Sequence, residues 1–236
     1  MGLGLGIRSK LSHVIAKSPV LKKIALKVQP RSRIFRKAYH TRVWDSDESH
    51  SGRGSELGAT EALRIYLPTI FDRLHIKTFL DAPCGDWNWM REVDLSKVDY
   101  IGADIVSDAI ERNRQKYQKE RVKFIVADLT KDELPQADLI LCRDCWVHVS
   151  FEDIADIIEN FRRSRSEYLL VSNSPHVQEN KDKLTGLDWR HINLKKAPFN
   201  FPDPLDSFKD HYDDTPFFMS LWRIEDLPVV KDRGNG

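Results

Sequence analysis

Lys77-Thr-Phe-Leu-Asp-Ala-Pro-Cys-Gly-Asp-Trp-Asn-Trp-Met90 is the stretch on which the fold turns. Thr78-Phe-Leu80 reads as a buried strand, Asp81 closes it, and Pro83-Cys-Gly85 turns sharply into Asp86-Trp-Asn-Trp89. A short apolar strand, an acidic residue and a glycine turn together form the nucleotide-binding corner of an α/β sheet. That signal is common by itself. It gains meaning from two further acidic strand ends, Asp104 and Asp128, spaced 23 and 24 residues apart.

Downstream the chain alternates regularly. Apolar runs at 98–103, 122–127, 137–142 and 168–171 read as strands, and 107–117 and 150–163 as helices. The second helix has a capping box in Ser150 and Asp153 and an apolar face of Phe151, Ile154, Ile157, Ile158 and Phe161. This alternation predicts a parallel, doubly wound sheet whose strands all end on one ligand-binding rim. Phe217–Ile224 returns to strand character and is expected to run antiparallel. The proline- and aromatic-rich segment 195–218 is too long for a plain loop and is expected to form a lid or acceptor platform.

Upstream, Glu56–Leu74 has helical spacing, with Ser55 as its expected cap and Pro68 expected to break or kink it. Ser51-Gly-Arg-Gly-Ser55 reads as a linker, or as a loop whose glycines let backbone approach a ligand. Residues 1–44 hold eleven Lys or Arg and no Asp or Glu, while the rest carries 26 basic and 36 acidic residues. Lys10–Val28 has an amphipathic helical pattern with a second helix starting at Ser18-Pro19. Three readings of this basic arm stand open: a helix packed on the domain, a contact through residues 1–38 with an anionic membrane surface or acidic partner, and a targeting peptide. Met1-Gly2 with Gly6 lacks the hydroxyl residue of a myristoylation start.

In a nucleoside site, Asp104 would accept both ribose hydroxyls, Ile105 would stack on the base and Asp128 would accept the base amino group. Arg53 reads either as a bidentate clamp for a carboxylate or as a solvated loop arginine. The pattern resembles a class I S-adenosylmethionine-dependent methyltransferase over roughly residues 45–228. It is carried by the Asp81–Trp89 turn, Ser51–Ser55, Cys142-Arg-Asp144, Val147-His-Val-Ser150, Pro198-Phe-Asn-Phe-Pro202 and Leu221-Trp-Arg223. Pro83 and Trp87 stand where other members often have glycine, which predicts a stiffer turn, with Trp87-Asn-Trp89 over or beneath the donor's methionine end. The resemblance implies an α/β, doubly wound, mostly parallel, seven-stranded Rossmann-like sheet with an antiparallel edge hairpin. The domain would span 45–236, behind a basic helical arm at 1–44. It also implies S-adenosylmethionine as cofactor, with Trp44, Ser51, Gly54, Asp81, Ala82, Pro83, Gly85, Leu129 and Arg143 joining the residues above around it.

Methyl transfer asks the protein to align donor and acceptor and to take the acceptor's proton. Asp144, His148 and His176 follow strands four and five and are the candidate bases. Each also has a structural reading, as a cap, a cofactor ligand or a hydrogen-bonding histidine. Cys142, Cys145 and His148 lack a second ligand pair at zinc spacing, so no metal site is expected, and the aspartates at 203, 206, 210, 213 and 214 read as a solvated acidic loop. Three cysteines without a disulfide framework, no membrane-length apolar run and no secretory signal suit a cytoplasmic protein, or one peripheral at a membrane. The leading expectation is O-methylation of a glycan or small molecule. The acidic body and the absence of an Asp/Asn-Pro-Pro-aromatic signature after strand four disfavour a nucleic-acid acceptor. RNA or protein methylation and a non-catalytic scaffold remain the alternatives.

Overall fold

The computed structural model describes residues 29–210 and 217–230. The pattern at Lys10–Val28 and the aspartates at 213 and 214 lie outside the described residues. In chain order the elements are α1 (Arg31–Thr41), α2 (Glu61–Arg73), β1 (Thr78–Asp81), β2 (Asp99–Asp104), α3 (Ser107–Tyr117), β3 (Val122–Val126), β4 (Leu139–Cys142), α4 (Phe151–Arg163), β5 (Tyr168–Asn173), β6 (Asp206–Asp210) and β7 (Phe217–Arg223). One seven-stranded sheet has the order β3-β2-β1-β4-β5-β7-β6. The first five strands are parallel, and β7 pairs antiparallel with both β5 and β6. This is the expected doubly wound sheet with its edge hairpin.

Period-two side-chain alternation divides the core into two layers. Ile140, Cys142, Leu169 and Val171 face α4, whose Ile154, Ile157, Ile158 and Phe161 are buried against them. Leu139, Leu141, Tyr168 and Leu170 face the opposite way, toward Leu63, Leu67 and Ile70 of α2 and Ile110 of α3. Each large apolar side chain so buried contributes about 1.5–3 kcal/mol before entropy is charged against it.

Some local expectations are corrected. α2 begins at Glu61 rather than Glu56, because Arg53–Ser55 is a separate 3-10 turn, so Ser55 does not cap it. Pro68 lies inside α2 without ending it: Leu63, Leu67, Ile70 and Phe71 bury enough apolar surface to carry the helix past one missing hydrogen bond. Only half of the capping box forms. Ser150 Oγ accepts the Asp153 N–H at 3.1 Å, but the Asp153 carboxylate is drawn to Arg31 at 2.7 Å and to the Thr185 hydroxyl. In the segment 195–218, expected to form a lid or acceptor platform, Phe199 and Phe201 are not exposed stacking faces, because they are buried against Trp146, Phe151 and Trp222. Rings of this size gain more from the core than from an exposed face.

Candidate active site

In the order β2-β1-β4 the chain reverses direction between β1 and β4, and open α/β sheets bind ligands above such a switch point. A cavity of about 540 Å³ lies there, within the range of small-molecule sites.

Its first half is built by the glycine turn. Gly85 takes φ +55°, and a Cβ at that position would stand 2.3 Å from Ser51 Oγ. Ser51 approaches this closely because residues 49–51 latch onto the turn. The Ser49 hydroxyl and the His50 N–H donate to the Asp86 carboxylate at 2.9 and 2.7 Å, and the Asp86 N–H donates to Ser51 Oγ at 3.1 Å. Gly52, at φ +96°, backs directly onto Trp44. The Ser51–Ser55 loop thus lies beside the β1 turn although about thirty residues separate the two.

Asp81 and Asp104 supply the buried acid. Asp104 Oδ2 accepts the Gly85 N–H at 3.0 Å and Oδ1 accepts the Val106 N–H at 2.8 Å, leaving each oxygen a further lone pair. Burial still pushes Asp104 up to about 6. Asp81 accepts the Tyr100 hydroxyl at 2.7 Å, and burial, reinforced by Asp104, pushes it up to about 8. Two carboxylates desolvated this far await a cation or hydrogen-bond donors. Trp87 packs beneath the turn against Tyr100, Tyr117 and Phe124, while Trp89 reaches the cavity wall.

The second half lies beyond β4. Asp144, at φ +52°, is held by its N–H to Ser172 Oγ at 2.9 Å. The Arg143 guanidinium is buried. It donates to Asp210 at 2.8 Å and to the Gly54 carbonyl at 2.6 Å, and it sits 3.0 Å from the Asp144 carboxylate. It therefore ties the glycine loop, β4 and β6 together. His148 gives Nδ1–H to the Asp188 carbonyl at 3.1 Å; a carbonyl only accepts, so Nε2 is the basic nitrogen. Burial, with Lys183 and Arg190 nearby, pushes His148 down to about 4, so its ring is neutral at pH 7. Trp44 leans on this ring with centroids 5.0 Å apart and donates its indole N–H to the Leu187 carbonyl at 3.2 Å.

Among the residues expected from sequence, the cavity wall gathers Trp44, Ser51, Arg53, Gly54, Asp81, Pro83, Gly85, Asp104, Ile105, Arg143, Asp144 and His148. Ala82, Asp128, Leu129 and His176 are not part of that wall. Asp128 instead meets Arg31 at 3.4 Å and Thr130 at 2.8 Å, and His176 is exposed against His191. Arg53 pairs with Asp45 at 2.5 Å. The wall also holds Phe217, from the expected 195–218 platform, and residues that the sequence did not mark: Phe35 and Tyr39 of α1, then Leu187, Asp188, Trp189 and His191. The one available signal was the cluster Asp188-Trp-Arg-His191 in a segment without helix or strand periodicity.

Residues 79–166 match the sequence profile of a family described as "Methyltransferase domain". Sequence comparison with curated proteins finds no match. Among solved structures, the chain is similar to Burkholderia thailandensis 1,6-didemethyltoxoflavin-N1-methyltransferase, bound to its acceptor and S-adenosylhomocysteine. Identity is 18%, TM-score 0.59, with 87% of this chain and 90% of that chain covered. It is also similar to Synechocystis magnesium protoporphyrin IX methyltransferase with bound S-adenosylmethionine, at 12% identity and TM-score 0.58, covering 83% and 98%. For human N-acetylserotonin methyltransferase the values are 17% and 0.53; 83% of this chain is covered, but it spans only 60% of the human chain. Residues 79–166 thus match a methyltransferase domain, and the chain shares the fold of methyltransferases solved with S-adenosylmethionine or S-adenosylhomocysteine.

Proposed function

We propose that the protein transfers a methyl group from S-adenosylmethionine to a hydroxyl of a small-molecule or glycan acceptor, with His148 as the proton acceptor. The observation that carries this reading is a neutral imidazole, fixed by Asp188 through Nδ1, in the same cavity as the Asp81–Asp104 acid pair. The residues present fit the cofactor. Two desolvated carboxylates suit a cationic ligand, and the Gly85–Ser51 contact leaves backbone at the cavity wall. When bound, S-adenosylmethionine supplies a methyl group activated by a sulfonium.

The chain's own residues do the rest. Asp104 accepts the ribose hydroxyls with its remaining lone pairs, and Ile105 covers the base. Asp81 takes the ammonium end, with Arg53 free to exchange Asp45 for the carboxylate. Trp44, Trp189 and Phe217 would wall the acceptor side, and His148 Nε2 would take the hydroxyl proton as the acceptor oxygen bonds the methyl carbon and the donor's carbon–sulfur bond breaks, which leaves a neutral thioether. Asp144 positions the acceptor by accepting a second hydroxyl. A carboxylate-rich chamber whose Arg143 is already committed to Asp210 and Gly54 disfavours an anionic acceptor. An amine would be held there in its protonated, unreactive form.

The test is calorimetry with S-adenosylmethionine, followed by mass spectrometry of hydroxylated sugars and phenols incubated with isotopically labelled donor. His148→Gln should leave donor affinity within about twofold and lower turnover about 10²–10⁴-fold. Label appearing on amines alone, or full turnover by His148→Gln, would refute the proposal.

A further inference from the structure

We infer that the mouth of this cavity docks on an anionic lipid surface, with α1 as the electrostatic contact and Trp189 as the wedge. α1 is the described part of the acid-free segment 1–44. It buries Ile34, Ala38 and Tyr39, with Tyr39 packed on Val106 and Ala109, and turns Arg33, Arg36 and Lys37 to solvent. Arg36 is half committed to Asp108 at 2.8 Å, so Arg33 and Lys37 are the cations best placed to meet a partner. The same helix is a wall of the cavity through Phe35 and Tyr39, and its continuation, Arg42-Val43-Trp44, runs along the rim.

The rim is unusual for a solvated surface. Few large hydrophobic side chains are strongly exposed among the described residues, and two of them, Val43 (43%) and Trp189 (54%), line this cavity. The Arg53 side chain, 62% exposed, stands with them. An exposed tryptophan beside basic side chains suits the headgroup boundary of a bilayer, where the ring buries its apolar body and keeps its N–H wet. The formal −10 on residues 45–236 opposes approach of the body to an anionic surface, which favours contact through the acid-free α1 segment. Among the described residues no helix is long and apolar enough to cross a membrane, so the contact is peripheral. An acidic protein would use the same cations but has no need of Trp189. Because the mouth faces the surface, the acceptor class that follows is a hydroxylated headgroup or lipid-linked sugar. That last step rests on the methyltransferase reading, but the docking does not.

The experiment is co-sedimentation of the full chain with phosphatidylcholine vesicles, with and without 30% phosphatidylglycerol, at low and high salt. Donor affinity is measured separately as a check on folding. Each basic residue at such a surface is worth roughly a fivefold factor in partitioning, so Arg33→Gln with Lys37→Gln should weaken binding about 25-fold. Trp189→Ala should weaken it at both salt concentrations. Binding to anionic but not neutral vesicles, reduced by both changes, with donor affinity intact in the Arg33/Lys37 variant and the melting temperature intact in Trp189→Ala, is the expected result. No binding to anionic vesicles at low salt, equal binding to neutral ones, or binding indifferent to Trp189 and matched by polyglutamate would overturn the inference. Vesicle binding without any methyl transfer would leave the docking standing and refute the activity instead.

Discussion

If Asp81 receives the ammonium of the donor, cofactor binding must release a proton. Burial holds Asp81 up near 8 in the free protein, so at pH 7 about nine in ten molecules carry it protonated. A raised carboxyl contributes stability that is complete below its unfolded value near 3.9 and is lost as pH rises through 8, so folding alone favours the protonated form. The ammonium favours the ionised form, and the two preferences meet only through proton release. Between pH 6.0 and 7.5 the ionised share of a group at 8 rises from about 0.01 to 0.24, a factor of roughly 24, or about 1.9 kcal/mol. Asp104, held up near 6, adds up to another factor of about two across the same window. The window stops at 7.5 because the donor's own α-amino group titrates near 8.

The assay is isothermal titration calorimetry at both pH values, in buffers of low and high ionisation enthalpy. The wild-type dissociation constant should fall about 20- to 50-fold from pH 6.0 to 7.5, with close to one proton released per donor bound near pH 7. Asp81→Asn should bind weakly, with a pH dependence of about twofold at most and no proton release. A wild-type change smaller than about threefold, or proton release that survives in Asp81→Asn, would refute the assignment of Asp81 to the ammonium.

Further outcomes follow from the same geometry. Gly85→Ala places a Cβ 2.3 Å from Ser51 Oγ at a φ of +55°, and should lower donor affinity at least tenfold while costing about 1–3 kcal/mol, read by calorimetry and thermal melting. Asp210→Asn leaves the buried Arg143 without its fully buried carboxylate partner and should cost about 3–5 kcal/mol in denaturant unfolding. Arg31→Ala frees Asp128 and Asp153, both largely buried, and should lower stability by about 1–3 kcal/mol, with a loss of amide-exchange protection in α1.

How much of this was legible depends on whether a residue's role is written in its own neighbourhood. Asp81, Gly85 and Asp104 were, because strand periodicity, an acidic stop and a glycine turn are local signals, and the sheet order follows from the alternation they begin. Ser51 and Gly54 were partly legible. Their glycine content marked a close approach, but its partner Asp86 lies 35 residues on and only the fold brings it near. Asp128 shows the limit of an interval argument. Its spacing matches the other two acids, yet Arg31, 97 residues earlier, has taken the carboxylate, and a sequence has no period that reports such a pair. Pro83 and Trp87 were read as stiffening the turn, and Trp87 does so from below, where Tyr100 and Phe124 hold it.

The acceptor side was least legible, for a reason that bears on the chemistry. Its wall comes from Trp44, the 187–191 segment and Phe217, three separate pieces of chain with no shared periodicity. The two Asp188-centred bonds show what holds them. Its carbonyl accepts His148 Nδ1–H and the Lys183 ammonium, so one backbone atom both sets the imidazole tautomer and anchors the loop carrying Trp189. Burial beside that loop pushes Lys183 down to about 8 and His148 down to about 4. The loop therefore holds the His148 ring in its neutral form, by desolvating it and by placing positive charge beside it. Loop and base form one unit, and a substitution that loosens the loop should alter the pH profile of turnover before it alters donor affinity. Lys183→Met removes the ammonium without touching the cavity wall. It should move the acidic limb of the pH–rate profile to slightly higher pH, as the smaller, charge-based part of the lowering of His148 is lost while burial remains, and leave the donor dissociation constant within about twofold. An acidic limb that does not move would separate the loop from the base and refute the coupling.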